Sequence, residues 1–385
     1  MTSSSERRIS ISLGSVVLLV SAVPVLILLW QLKSLILLVM ISVVLASSIA
    51  PVVDWAEGRR VPRWLAVVLI YLGLINLLVA TIFLIGPTIF EQIERLIRQI
   101  PVSLKSLATA AEAWVMQIND SRPALINDLF DQLIDVQGIT RWAIRSSQQL
   151  LVRSYGVTTG ILGGFFSIVL AIFLSGYMLA DSRTLIRNLV RLLPAPWDER
   201  LAAQVGPMSH RIGTYIRGRL IVSAILAIVT TISLSFLGLS DFALGLGAIA
   251  GVTNLIPFIG PILGAIPALV VAISQGGLTF LWVLILFAII QNLETYALDP
   301  LLVGSSVGVH PLYQLLAVLG GTQVLGIIGA LIVPPWIAGG AVLLENLYLR
   351  PKLMAERRRK IAQPQQSLDA SQPSESDSPV ESVPT

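Results

Sequence analysis

"NLIPFIGPILGAIPA", residues 254–268, sets three prolines and two glycines into an otherwise almost wholly apolar stretch. Proline removes a backbone donor and glycine raises the entropy lost on ordering, so neither suits the interior of a helix. In lipid an unpaired N–H or C=O is costly, and irregular backbone survives only where protein shields it or it lines a water-filled cavity. The stretch reads as a deliberate break. Pro257, Pro261 and Pro267 are expected to free carbonyls, Gly260 and Gly264 to permit close approach, and Thr253 and Asn254 to add side-chain oxygens.

The surrounding chain is that of a polytopic membrane protein. Its 385 residues are 55% hydrophobic and 12% charged, with a mean hydropathy of +0.82. Soluble domains are about 25% charged. Apolar runs near 20 residues recur, the length that crosses a bilayer as a helix. The sequence contains no cysteine, which excludes disulfides, thiolate metal sites and thiol catalysis. Two histidines, His210 and His310, leave little room for a histidine-built metal site. No metal, cofactor or nucleic-acid partner is expected; the net charge of +4 says nothing about nucleic acid in a membrane protein.

The expected architecture is all-α, with about eight transmembrane or re-entrant segments. N-terminal spans occupy residues 1–87, including runs from Ile9 to Trp30, Leu35 to Val53, and Trp64 to about Pro87. Residues 88–155 read as an amphipathic helical insertion outside the membrane, with Ile89, Ile93, Leu96, Ile97 and Ile100 at helical spacing. This insertion is expected to pack on itself or on sister subunits. Residues 156–350 form a C-terminal transport domain containing a polar cytoplasmic loop, 181–219. A basic and then disordered tail, 351–385, completes the chain. Three arginines in 54–64, seven in 181–219 and six Lys/Arg in 350–360 put those segments and both termini on the cytoplasmic side.

Between Leu220 and Leu349 there is no Lys or Arg, but there are four acids: Asp241, Glu294, Asp299 and Glu345. Asp241 and Glu345 suit membrane boundaries. Glu294 and Asp299 have apolar sequence on both sides, and an ionised acid at the bilayer centre costs about 2.5–3.5 kcal/mol. Each must be protonated, face water, meet an arginine from elsewhere or bind a cation. In "QNLETYALDP" (291–300), Asn292, Thr295, Tyr296 and Asp299 share one α-helical face. Glu294 and Asp299 are about 140° apart on such a helix and would not pair. Pro300 is expected to end or kink the helix, and Gly304, Ser305, Ser306, Gly308 and Pro311 favour a turn after it.

Two interrupted segments in one basic-free membrane region point to a secondary-transporter site. The pathway is expected to use Asp299 and Glu294 for a coupling proton or sodium ion. Asn254, Asn292 and Thr295 would supply neutral oxygens or amides, with carbonyls freed near Pro257, Pro261 and Pro300. His310 either titrates or caps a turn. An intramembrane enzyme lacks its motif here, since HExxH is absent, and a nucleotide-driven pump lacks GxxxxGK[ST]. No catalytic residue is assigned. A sodium/proton antiporter and a non-transporting scaffold are the competing classes.

"YIRGRL" (215–220), "GVTNLIPFIGPILGAIPALVVA" (251–272), "VGVHPL" (307–312) and "GGTQVLGIIGALIVP" (320–334) together resemble the autoinducer-2 exporter family of permeases. The resemblance runs from the first spans to about Leu353 and is strongest in the C-terminal half. It implies a multi-pass bacterial inner-membrane exporter of a small molecule, homo-oligomeric, with sodium/proton exchange in some members. Members often carry a basic residue after the glycine matching Gly304; here Ser305 and Ser306 follow it.

Overall fold

A computed structural model describes residues 24, 27, 28, 30–118, 166–304 and 310–357, with backbone alone for 100–108 and 110–118. Every secondary-structure element among them is helical. The first apolar run, most of the amphipathic insertion and the distal tail lie outside the described residues.

Helix α1, Lys33–Gly58, ends where Gly58 and a left-handed Arg60 (φ 69°) turn the chain into α2, Arg63–Ile118. Arg63 locks this corner. Its guanidinium donates to Asp54 at 2.8 Å, to Glu57 at 2.5 Å and to the Leu179 carbonyl at 2.9 Å. A second pair, Phe166–Ala180 (α3) and Ser182–Val190 (α4), bends by 84° between its members. Tyr71 of α2 shares a 2.6 Å hydroxyl–hydroxyl bond with Ser175 of α3.

Residues 197–219, expected as part of a polar loop, are the first half of one 40-residue helix, α5, Trp197–Phe236. Its lower half packs on α1 through small residues. A methyl placed on Gly213 would strike the Ser47 carbonyl, and Arg217 donates to the carbonyls of Ser47 (3.3 Å) and Ser48 (3.0 Å). Pro51 explains the need: it lacks the N–H that the Ser47 carbonyl would accept in a helix.

The opening motif forms the tip of a helical hairpin. Helices α6, Ser240–Thr253, and α7, Ile259–Gln275, span about 21 and 26 Å at 1.5 Å per residue, short of a roughly 30 Å hydrocarbon core. They run antiparallel in close contact, since a methyl on Gly264 would lie 2.9 Å from the Ala250 Cα. Gly247 and Gly251 press α6 onto α5 at Ala227, where a β-carbon on either would clash. The carbonyls at the tip are not left free as expected. Ile256 donates to Thr253 at 3.0 Å, Gly260 to Ile256 at 2.9 Å and Ile259 to Pro257 at 2.8 Å. That last bond closes a γ-turn on Phe258, whose φ of 66° and ψ of −47° are strained for a non-glycine residue. Phe258→Gly is therefore expected to stabilise the protein by about 1 kcal/mol, read as a raised thermal midpoint. A lowered midpoint would show that the exposed ring contributes more than its backbone costs.

Helix α8, Gly277–Leu293, continues without interruption into a π-helical stretch, Glu294–Gly304. Pro300 does not break it, contrary to expectation; the i→i+5 pattern absorbs the missing donor. The second sharp break lies elsewhere. Helix α9, Pro311–Leu343, reverses at Gly326 (φ 69°, ψ −157°), bringing Gly321 and Gly329 backbone to backbone. This second hairpin meets the first where Val318 and Ala330 pack on Ile256 and Ile259. A further π-helical turn, Leu344–Leu349, then leads to the basic end of the described chain. Glu345 is paired there with Arg211 (3.5 Å) and Arg350 (3.0 Å).

Among the described residues five helices are long and apolar enough to cross a membrane, six if the bent α3–α4 pair counts as one span, so the count of eight is not confirmed. Large apolar side chains such as Phe83, Leu84 and Phe236 are about 80% exposed or more, as lipid-facing positions require. The stretch after Pro87 behaves differently from expectation: α2 passes through it unbroken and docks on the bundle of its own chain. Leu96 is buried among Leu239, Leu246, Val271 and Val283, and Gln92 accepts from the Gly245 amide at 2.7 Å. Leu96→Ala is expected to destabilise by about 2–5 kcal/mol, and Phe90→Ala, 72% exposed, by far less. Equal shifts in thermal midpoint would contradict this docking.

Candidate functional site

Three elements converge on one arginine. Arg219 lies near the middle of α5, two residues from Arg217 and so on another face, and its side chain is only 5% exposed. One of its terminal nitrogens, Nη1, lies 2.9 Å from Glu294 Oε1 and 3.3 Å from Asp299 Oδ1. The other, Nη2, donates to Asn254 Oδ1 at 3.3 Å. The hairpin tip thus supplies the amide, the π-helical stretch both carboxylates, and α5 the cation.

The π-helix makes the arrangement possible. In an α-helix residues five apart point away from each other, but i→i+5 closure stacks them on one side. Glu294 and Asp299 therefore share Arg219. Gly218 lets α5 sit against this widened stretch, since a methyl there would lie 3.0 Å from the Val303 Cα and closer still to the Leu302 carbonyl.

Burial is uneven. The Glu294 side chain is 4% exposed and that of Asp299 is 42% exposed, so one acid is sealed while the other reaches outward. With all three groups ionised the cluster carries two negative charges against one positive. Among the described residues, three polar atoms close by have no hydrogen-bond partner: Arg219 Nε, Tyr215 OH and Ser223 Oγ.

Other expected site residues fall outside the cluster. Asn292 is exposed and donates to its own helix at the Ala288 carbonyl (2.7 Å), while Thr295 accepts from Gln291 at 3.3 Å. Tyr296 is 77% exposed. His310 caps α9, its Nδ1 accepting from the Leu312 amide at 3.2 Å. Pro257 forms the γ-turn, Gly260 and Gly264 the hairpin seam, and Pro267 lies inside α7. Gly304 ends the π-helical stretch, and Ser305 and Ser306 lie outside the described residues. Arg219 is the residue that the sequence reading missed. It is the last arginine of "YIRGRL", at the edge of the basic-free region, where it reads as the last charge of a loop.

A buried ion cluster held between broken and widened helices, within a bundle of lipid-length apolar helices, defines a multi-pass membrane protein of the transporter class. The chain belongs to the AI-2E transporter family, whose model, described as "AI-2E family transporter", matches residues 19–355. It is 29% identical over 310 residues to "Putative transport protein YrrI" of Bacillus subtilis (strain 168), covering 79% of this chain and 84% of that protein. It is also 26% identical over 311 residues to "Putative transport protein YueF" of the same organism, covering 80% and 83%. "Putative transport protein MT0215" of Mycobacterium tuberculosis (strain CDC 1551 / Oshkosh) is 25% identical over 303 residues, covering 78% and 79%.

Proposed function

We propose that the protein is a secondary transporter that exports a small molecule across the bacterial inner membrane, driven by a proton or sodium gradient. Its termini are cytoplasmic and its working form is a homo-oligomer. The observation that carries the coupling is the sharing of Arg219 by two carboxylates. One arginine neutralises one acid, so the other retains a charge whose burial is costly until a proton or monovalent cation arrives. Arrival at either carboxylate frees Arg219 to favour the other, which gives two arrangements of the same cluster. Because Asn254 is held by Arg219, the hairpin tip is linked to that exchange.

The excess acid also favours a second reading, in which sodium and protons are themselves the exchanged species. Both readings are tested in proteoliposomes with an internal pH dye, imposed sodium or proton gradients, and autoinducer-2 as the trial cargo. Asp299→Asn is expected to abolish the gradient dependence of cargo flux, of proton flux, or of both, according to which reading holds. Gradient-driven flux equal to wild type in this variant would sink the assignment of Asp299. That result is also what a scaffold with an unrelated leak would give.

A further inference from the structure

Helix α4, Ser182–Val190, does not continue α3 in the same direction but turns away by 84°. Arg183, Arg187 and, one residue past its end, Arg191 recur at every fourth position and so form one charged stripe. Three arginines in so short a stretch are too costly for the interior of a bilayer. The apolar residues make up the adjoining face. At about 100° per residue, Leu185, Ile186, Leu189 and Val190 fall within an arc of roughly 140°. Val190 is buried and Ile186 half-buried, but Leu189 is 69% exposed, and Leu192, just beyond the helix, is 80% exposed. This is the pattern of a helix lying in the membrane interface, with leucines in the acyl boundary and arginines at headgroup level.

The corner between α1 and α2 extends the same surface. Arg183 Nη2 lies 3.4 Å from Glu57 Oε1, and Arg63 donates to the Leu179 carbonyl near the end of α3. Trp55 and Trp64 are exposed beside it, the placing that tryptophan favours at a membrane–water boundary, and the Arg59 guanidinium stacks over the Trp55 ring at 3.9 Å. Residues 54–64 and 181–192 together hold six arginines and three acids. Asp54 and Glu57 are already met by Arg63 and Arg183. Asp181 stands exposed at the start of α4, where the helix dipole favours an anion. Arg59, Arg60, Arg187 and Arg191 are exposed and make no ion pair among the described residues.

We propose that α4 and the α1–α2 corner form a binding surface for anionic phospholipid. Its phosphate oxygens take the guanidinium groups left without an acid, and its acyl chains cover Leu189 and Leu192. The planar fork of arginine suits a phosphate group, and each such residue near an anionic surface adds to the attraction. A zwitterionic headgroup carries its own cation, which offsets the phosphate charge that the arginines attract. An acidic protein segment would answer the arginines but leave the leucines and tryptophans in water. The surface shares no residue with the Arg219 cluster, so it holds whatever the protein transports.

The test measures retention of dioleoyl phosphatidylglycerol and dioleoyl phosphatidylcholine by full-length protein in detergent, read by native mass spectrometry. Wild type is expected to retain the glycerol lipid preferentially. Arg187→Gln combined with Arg191→Gln should weaken that retention by about fivefold for each arginine removed. Arg95→Gln combined with Arg98→Gln removes the same charge from exposed positions on α2 and should leave it unchanged. Insertion is read separately. The chain has no cysteine, so Leu189→Cys and Asn188→Cys each accept one nitroxide label. In phosphatidylglycerol vesicles the label at 189 should relax faster with oxygen than with a nickel chelate, and the label at 188 the reverse. Equal retention of the two lipids by wild type, equal loss in the α2 control, or equal access of the chelate to both labels would each overturn the proposal. So would retention that appears only after residues 361–385, which hold four acids and no base, are removed, since that would assign the surface to the chain's own tail.

Discussion

Arg219→Leu is expected to cost about 3–5 kcal/mol of stability. The loss comes less from the missing attraction than from what remains: Glu294, 4% exposed, beside a second acid with no cation between them. The sign is testable because a charge-neutral replacement should recover much of the loss. Arg219→Leu combined with Glu294→Gln and Asp299→Asn removes every charge of the cluster, and such replacements are often neutral or stabilising. Thermal midpoints of the purified proteins should therefore fall sharply for the single variant and return toward wild type for the triple one. A triple variant as unstable as the single would mean that Arg219 supports the fold through packing of its aliphatic stem instead.

The second large effect is expected one residue earlier. Gly218 is where α5 touches the backbone of Leu302 and Val303, and a β-carbon there has no flexible side chain to displace. Gly218→Ala should push the π-helical stretch off α5, at a cost of about 1–3 kcal/mol for overpacking, and should separate Arg219 from Asp299. Gly206 on the same helix is the control, since a β-carbon added to it would meet nothing within 4 Å. Gly206→Ala should gain up to about 1 kcal/mol from helix propensity. Thermal midpoints moving in opposite directions would support the tight contact at Gly218. Equal, small shifts would refute it.

Much of this site was legible in the sequence, and the reasons for the gaps are specific. Glu294 and Asp299 stood out because acids inside a basic-free apolar region must be balanced by something, and an arginine from elsewhere was one of the options. Asn254 stood out because it begins a motif that breaks its own helix. Arg219 was hidden by position: it ends a run of seven arginines, so charge counting assigns it to a loop. Only the continuity of α5 shows it buried. The pairing of the two acids was hidden by geometry, because a 3.6-residue period separates them and the π-helical stretch does not. The same assumption grouped Asn292 and Thr295 with Asp299, whereas both side chains are exposed and bonded locally, away from Arg219.

The breaks were legible as breaks but not in their form. Pro257 and its neighbours make a hairpin tip whose carbonyls are satisfied locally, which a count of prolines does not reveal. Gly326 reverses α9, although no proline marks the place; its left-handed φ is the cause. Likewise, amphipathic spacing in residues 89–100 correctly marked a helix with one apolar face. What that face meets is a core formed by α5, α6, α7 and α8, and periodicity carries no information about a partner so distant in sequence.

The central claim is that the Arg219–Glu294–Asp299 cluster works as a coupling centre and is more than a structural clamp. Stability alone does not separate those roles, but flux through the charge-neutral triple variant does. Once reconstituted and shown to elute and melt like wild type, that variant should carry gradient-driven flux no greater than empty liposomes, while wild-type protein carries it well above background. Wild-type flux through the neutral variant, with its dependence on the gradient intact, would contradict the account.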